Sequence, residues 1–267
     1  MQTCVTLVSG VMSDETTDAR PLQVRIADDM RNQIRQGLLV PGDKLPTLHV
    51  LAERYGVSVM AARRSIELLR QEGLLTSRRG SGTYVRELKR VRRYGLQRYS
   101  RSVWSGHEPQ SVLRAEGTEQ GQKVEQTSQT EQLPAPSFVA VRLPDVVEGD
   151  LVYVRKRVTK LDGTINQSVD SYFSVATADR LPNGVYEEGP GGHIADIDQI
   201  STVQEVQEEI SARMPTGPEA SRLSIPPGTP VFEVLRTYHT VDGPLDVAQF
   251  LIRADMAVFD YRFPIPD

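Results

Sequence analysis

Arg78-Arg79-Gly80-Ser81-Gly82-Thr83-Tyr84-Val85 is the stretch that decides how this chain folds. Short β-prone segments, Leu74-Leu75-Thr76 and Thr83-Tyr84-Val85, flank a glycine turn. Glycine reaches the positive φ of a tight hairpin without steric cost. Arg78 and Arg79 put positive charge near the tip. A ribbon of this kind directly behind a helix-turn-helix is a wing, and its charge suits a phosphate backbone or a minor groove.

The residues before it supply the helix-turn-helix. Pro21 stands at a helix start. Leu22, Ile26, Met30 and Ile34 follow at four-residue spacing, which predicts a helix over 22–37, ended by Gly37 and the Pro41-Gly42 pair. Thr47 is placed to cap a second helix over 48–55, with Leu48, Leu51, Ala52 and Tyr55 inward. Ser58 caps a third, running to Gln71, with Ala62, Ile66 and Leu69 inward, and Gly73 stops it. Ala52 lets the two helices cross closely, Gly56 turns the chain, and Val57 plugs the corner.

Charge divides the 267 residues unevenly. Residues 20–93 hold 16 Lys and Arg against 7 Asp and Glu, whereas residues 94–267 hold 15 against 25. A basic module on an acidic body fits nucleic-acid binding through one end. No apolar run approaches the roughly 20 residues that span a bilayer, and the start lacks the pattern of a secretory signal. The single cysteine, Cys4, rules out an internal disulfide and fits a cytoplasmic protein. The four histidines, His49, His107, His193 and His239, have no second ligand at metal spacing, so no metal and no cofactor is expected. No nucleophile elbow or phosphate-binding Gly-Lys-Ser/Thr loop is present.

Residues 1–20 read as a disordered leader, 21–87 as the DNA-binding module, 88–101 as a basic linker and 102–267 as a second domain. Residues 115–132 are polar, either an exposed strand and loop or a mobile segment. Beyond them, Ser137–Val141 and Leu151–Val158 read as strands, and Asp162-Gly163 turns the chain into Ile165–Tyr172. Gln199–Met214 reads as a helix. Pro230–His239 is a long strand that Asp242-Gly243 turns into Leu245–Ile252. Two Asp-Gly hairpins predict an α+β domain with an antiparallel sheet and hint at internal duplication.

Residues 26–85 resemble the winged-helix domain of the GntR transcription regulators. The matching pieces are Ile26-Ala27-Asp28, Gly37, Pro41-Gly42-Asp43-Lys44-Leu45-Pro46, Leu51-Ala52, Gly56-Val57-Ser58, Arg63, Glu72-Gly73-Leu74 and Gly80-Ser81-Gly82-Thr83. The second half resembles the UTRA effector-binding domain of the HutC subfamily through Arg157, Asp162-Gly163, Asn166-Gln167, Ser171-Tyr172-Phe173, Glu209–Pro215, Arg236-Thr237-Tyr238 and Asp242-Gly243. The resemblance implies a chorismate lyase-like fold for that half. It also implies a homodimer that grips a palindromic double-stranded DNA operator, usually as a repressor, and answers a small-molecule effector. A plasmid maintenance or transfer protein and a chorismate lyase-like enzyme are the alternatives.

Candidate DNA-binding residues are Thr47, His49, Ser58, Val59, Met60, Arg63, Arg64, Arg78, Arg79 and Gly80. The family usually carries Ser-Glu-Arg where Thr47-Leu48-His49 stands, and Ser-Arg where Ser58-Val59 stands, so two customary arginines are replaced. An arginine–guanine pair is worth roughly 1–3 kcal/mol of discrimination, so the preferred operator should differ. Candidate effector-binding residues are Arg157, Gln167, Ser171, Tyr172, Tyr238, Asp246 and Gln249. Relatives bind phosphorylated sugars through an Arg-x-Arg pair. Arg157 matches its first member and Thr159 stands at the second, which favours a monoanion or a neutral polar ligand over a phosphate.

Overall fold

A computed structural model describes residues 20–78, 80–87, 89–226 and 228–265. The expected leader, Cys4 included, lies outside them apart from Arg20. The chain divides into two compact units, Met1–Leu88 with Pro226–Gly228 and Lys89–Ile225 with Thr229–Asp267.

The first unit is a three-helix core with a hairpin. Helices α1 (Leu22–Arg35), α2 (Leu48–Tyr55) and α3 (Val59–Gln71) precede strands β1 (Leu75–Arg78) and β2 (Gly82–Val85). Ile26, Met30, Leu51, Ala62 and Leu69 share one buried core with Leu75 and Val85 of the hairpin. The caps form as the spacing predicts: Thr47 Oγ accepts from Val50 N–H, and Ser58 Oγ accepts from Ala61 N–H. Gly56 sits at φ +62°, a left-handed helix end that a side chain would strain. The Pro41–Pro46 segment does more than end a helix. Its Leu45 N–H donates to Thr83 C=O at 2.8 Å and its Asp43 C=O accepts from Val85 N–H at 2.8 Å, so it lies against β2 as a third short ribbon.

The second unit is built on one antiparallel sheet. In chain order it contains β3 (Val91–Tyr94), α4 (Arg101–Trp104), α5 (Val112–Glu119), β4 (Val124–Pro134), α6 (Ser137–Ala140), β5 (Leu151–Leu161) and β6 (Thr164–Phe173). It continues with α7 (Val175–Ala178), α8 (His193–Ile200), β7 (Val203–Arg213), α9 (Gly217–Leu223), β8 (Val231–Thr240), β9 (Gly243–Arg253) and β10 (Ala257–Asp260). The six-stranded sheet runs β4-β5-β6-β9-β8-β7, with β3 and β10 pairing separately in parallel. Each half is a three-stranded meander whose last two strands turn at an Asp-Gly pair, and β6 and β9 join the halves.

Three expectations are corrected. Gln199–Met214 is not a helix: Val203–Arg213 is an edge strand. Val203, Val206 and Ile210 fall three and four residues apart, which mimics a helical stripe. A register shift between Val203 and Glu205 breaks the alternation, and β8 supplies the ladder partner. Ser137–Val141 is not a strand: residues 137–140 make one helical turn after Pro136, and prolines at 134, 136 and 144 bound a run too short to join a ladder. The basic stretch 88–101 is not a bare linker: from Lys89 it belongs to the second unit. Val91 is buried in β3, and Arg93 and Arg98 are buried beside it.

Candidate DNA interface and effector cavity

The caps and the apolar stripe fix which side of α3 faces water. With Ala62, Ile66 and Leu69 inward, Met60, Arg63 and Arg64 fall three and four residues apart on the exposed side. Among the described residues, Arg63 and Arg64 make no hydrogen bond or ion pair. Their neighbours differ: Arg31 bonds Asp28 and Glu72, and Arg70 bonds Glu67. Two unpaired guanidiniums on the first turns of a solvent-facing helix are free to meet phosphates or guanine edges.

Thr47, His49 and Ser58 are exposed at the starts of α2 and α3. The Thr47 and Ser58 oxygens accept from their own helices, which leaves each O–H to donate to a phosphate. Val59 is the exception in this set: it is only partly exposed and packs on the core, so its methyls are largely spent inward. At the wing, Gly80 has φ +73° and Ser81 N–H donates to Arg78 C=O at 3.0 Å. The Arg78 guanidinium lies 4.8 Å from the Tyr84 ring centre, a cation–π contact that restrains it. Arg79 lies outside the described residues.

In the second unit the pleat of the sheet sorts the effector candidates. Arg157, Gln167 and Tyr238 line a small cavity of about 50 Å³, with Arg98, Tyr99, His193 and Arg236. Ser171 and Asp246 stand behind its walls: Ser171 Oγ accepts from Arg157 Nη2 at 2.8 Å, and Asp246 accepts from Arg236 Nη2 at 2.8 Å. Tyr172 and Gln249 are not there. Tyr172 packs edge-on to Phe138 in the core of the opposite face, and Gln249 donates to Glu233. Both are one residue out of phase with the cavity, and one step along a strand reverses the face.

An open cleft of about 710 Å³ adjoins the cavity and shares Ser111 and Gln126 with it. Pro190-Gly191-Gly192 closes the inner end, where a Cβ on Gly191 would meet the Trp104 carbonyl oxygen at 2.0 Å. The loop before it is held by Arg155, which is fully buried. Arg155 donates to the carbonyls of Val185, Gly184 and Glu187, and its Nη1 lies 3.3 Å from Glu188. Arg155 and Arg157 therefore form an arginine pair two residues apart on one face.

Among the described residues, every arginine of this wall has an ion-pair partner, and Arg93, which stands outside the lining, has none. Arg98 pairs with Glu116 at 3.2 Å and Glu208 at 3.7 Å. Burial opposes the Arg98 charge, but Tyr99 and then these carboxylates outweigh it and raise its pKa. Arg157 and Arg155 share Glu188, whose own burial is overcome by Arg157, His193 and Arg155, leaving its pKa at about 2. Arg93 has only the Gln167 amide oxygen at 3.0 Å and the rings of Phe250 and Phe259, and burial lowers its pKa.

His193 lies 2.8 Å from Asp246 through Nε2. The carboxylate can only accept, so Nε2 carries the proton and Nδ1 is left as an acceptor. Burial pushes the His193 pKa down to about 4, so the ring is neutral at pH 7. Among the described residues, five buried nitrogens of the cavity wall have no hydrogen-bond partner: Arg98 Nε and Nη1, Arg157 Nε, Arg236 Nε and His193 Nδ1. Buried polar atoms cost about 1–3 kcal/mol each when unpaired, so water or a polar guest that bonds them stabilises the wall.

Sequence reasoning missed Arg93, Arg98, Arg155, Glu188, His193 and Arg236. Arg155 and Arg236 carry a local signal, since each lies two residues from a chosen neighbour, Arg157 and Tyr238. Glu188 and His193 carry none, because loop 182–192 has no period to read.

The comparisons agree on both units. The family model for bacterial regulatory proteins of the gntR family matches residues 22–85, and the UTRA domain model matches residues 120–257. A transcriptional regulator of Streptomyces coelicolor is 31% identical over 91% of this chain and 92% of its own length. The mannosyl-D-glycerate transport/metabolism system repressor of Escherichia coli is 28% identical over 84% of this chain and 88% of its own. A crystallised GntR-family regulator superposes with a TM-score of 0.61 at 31% identity, covering 92% of this chain and 99% of that one. PhnF of Mycobacterium smegmatis shares the fold, with a TM-score of 0.55 at 20% identity over 92% of this chain and all of its own. With a winged helix-turn-helix followed by an antiparallel-sheet UTRA domain of HutC type, the chain belongs to the GntR family of bacterial transcription regulators.

Proposed function

We propose that this regulator is a cytoplasmic repressor that binds a palindromic operator as a homodimer and is released when a small polar molecule enters the cavity of its UTRA domain. The observation that carries the DNA half is the unpaired Met60–Arg63–Arg64 face of α3. In this reading α3 enters the major groove, Arg63 and Arg64 reach base edges or phosphates, and Met60 meets thymine methyls. Thr47, His49 and Ser58 position the backbone, and the wing brings Arg78, Arg79 and Gly80 to the minor groove. Two such helices must stand about 34–36 Å apart to read half-sites one turn apart, so a ligand that favours another spacing lowers affinity.

The five cavity-wall nitrogens without a hydrogen bond support the sensing half. Gln167, Ser171, Tyr238 and Asp246 hold Arg157, Arg236 and Arg93 in place around it. Tyr172 and Gln249 have no part in it. The test is a gel-shift titration against duplex DNA from upstream of the protein's own coding sequence, at several salt concentrations. Binding should weaken steeply with salt. Arg157→Ala should bind that DNA like the wild type and fail to release it when a metabolite extract releases the wild type. Salt-insensitive binding, or normal release of the variant, would overturn the reading.

A further inference from the structure

Resting on the winged helix as the DNA-binding unit, we infer that Lys44 belongs to its wing, and that the Lys44 ammonium and the Arg78 guanidinium together grip one backbone phosphate of the duplex beside the Tyr84 ring. Backbone pairing brings Lys44 there, although its place in Pro41–Pro46 reads in sequence only as part of a turn. It forms an antiparallel bridge with Tyr84. On either side of that pair, Leu45 N–H donates to Thr83 C=O and Val85 N–H donates to Asp43 C=O. Lys44 and Tyr84 are therefore a non-hydrogen-bonded pair, the kind whose side chains approach most closely. Across β2, Thr76 stands opposite Tyr84 and Arg78 opposite Gly82. Leu75 and Val85 turn into the core. Alternation then turns Lys44, Thr76, Arg78, Gly82 and Tyr84 outward on one face of the ribbon.

That face gathers positive charge around one fixed ring. Tyr84 O–H donates to Ser81 C=O at 3.2 Å, and its oxygen lies 2.5 Å from Ser81 Oγ, which ties the ring to the turn. The Arg78 guanidinium lies 4.8 Å and the Lys44 ammonium 5.9 Å from the centre of that ring. A Cβ on Gly82 would lie 3.0 Å from Lys44 Cε, so the bare backbone there gives the lysine stem its path along the hairpin. Among the described residues, neither cation makes a hydrogen bond or an ion pair. No carboxylate shares the face. The nearest in sequence, Asp43, accepts from Val40 N–H instead. Two like charges held against one ring repel each other, and an anion between them removes that repulsion. A phosphate suits the pair, because the guanidinium offers a planar fork and the ammonium a mobile point charge. Lys44 also stands three residues before Thr47, the cap of α2, and so links the wing to another of the proposed backbone contacts.

Salt dependence provides the test. The full-length protein is titrated by fluorescence anisotropy against the duplex from upstream of its own coding sequence, at salt from about 50 to 200 mM. Lys44→Gln should flatten the slope of log affinity against log salt by about one, weakening binding about tenfold at the low end and less at the high end. Lys44→Arg, which keeps the charge, should hold the wild-type slope. The melting temperature of Lys44→Gln should match the wild type, which a structural role for the lysine would not allow. Preference for this duplex over an unrelated one of equal length should stay the same, because a phosphate carries no sequence. Lys44→Gln combined with Arg78→Gln should lose less than the product of the two single losses, because one phosphate serves both. A wild-type slope in Lys44→Gln would remove Lys44 from the contact. Multiplying losses would put the two cations on separate phosphates, and a changed sequence preference would make Lys44 a base reader; either overturns the shared grip. In each of those cases the wild type still binds with salt dependence. A wild type without salt-dependent binding would instead sink the DNA-binding reading itself, and the role of Lys44 with it.

Discussion

Lowering the pH from 7 to 5 should cost the UTRA domain stability at His193. Burial holds its folded-state pKa at about 4, against an ordinary value of 6.5. Below pH 6.5 the unfolded chain takes up a proton that the folded ring refuses. Stability is therefore lost as pH falls from 6.5 toward 4, and it stops falling below that. At pH 5 the unfolded form gains a factor of about 30 in proton binding and the folded form almost none, so the loss is about 2 kcal/mol. For a domain of this size, that lowers the melting temperature by about 4–8 °C. The neighbouring carboxylates Asp246, Glu188 and Glu208 have lowered pKa values, so their own losses come at more acid pH. Urea unfolding of the wild type and of His193→Gln at pH 7 and pH 5 isolates the effect. Glutamine can still donate to Asp246 from near the Nε2 position but does not titrate. The variant should lose about 2 kcal/mol less than the wild type over this interval. If both fall equally, the ring is not held neutral by burial.

Other outcomes follow from single contacts. Arg63→Ala should weaken operator binding by about 1–3 kcal/mol if it reads a base, or reduce the salt slope by about one if it meets a phosphate; a gel shift equal to wild type removes it from the interface. Ser58→Ala should cost about 1 kcal/mol in urea unfolding of the winged-helix unit, because Ala61 N–H loses its acceptor. Gly56→Ala meets no atom within 4 Å, so any loss is backbone strain at φ +62°, about 1 kcal/mol. A neutral result there would mean the turn relaxes. Arg155→Met should expose loop 184–188 to protease, since three carbonyls lose their donor; unchanged cleavage would show that the loop is held by other contacts.

The winged helix was legible because its information is local. Thr47 and Ser58 act within one turn of themselves, Gly56 answers a backbone angle, and Ile26, Ala62 and Leu69 repeat with the helix period. The Asp-Gly turns placed β5, β6, β8 and β9 for the same reason. Edge strand β7 was misread because its hydrogen bonds come from β8, some 25 residues away, while its own apolar spacing imitates a helix. The cavity was only half legible. Arg157, Gln167 and Tyr238 were found, yet Tyr172 and Gln249 were drawn in with them, because alternation gives two faces and does not say which one the covering helices choose. Glu188, His193 and Arg98 come from a loop, a short helix and a supposed linker, and only folding brings them to Arg157. Residue order determined the elements and the basic module that touches DNA. Tertiary structure decided which buried charges meet, because pairing across a sheet face depends on distances that no sequence period records.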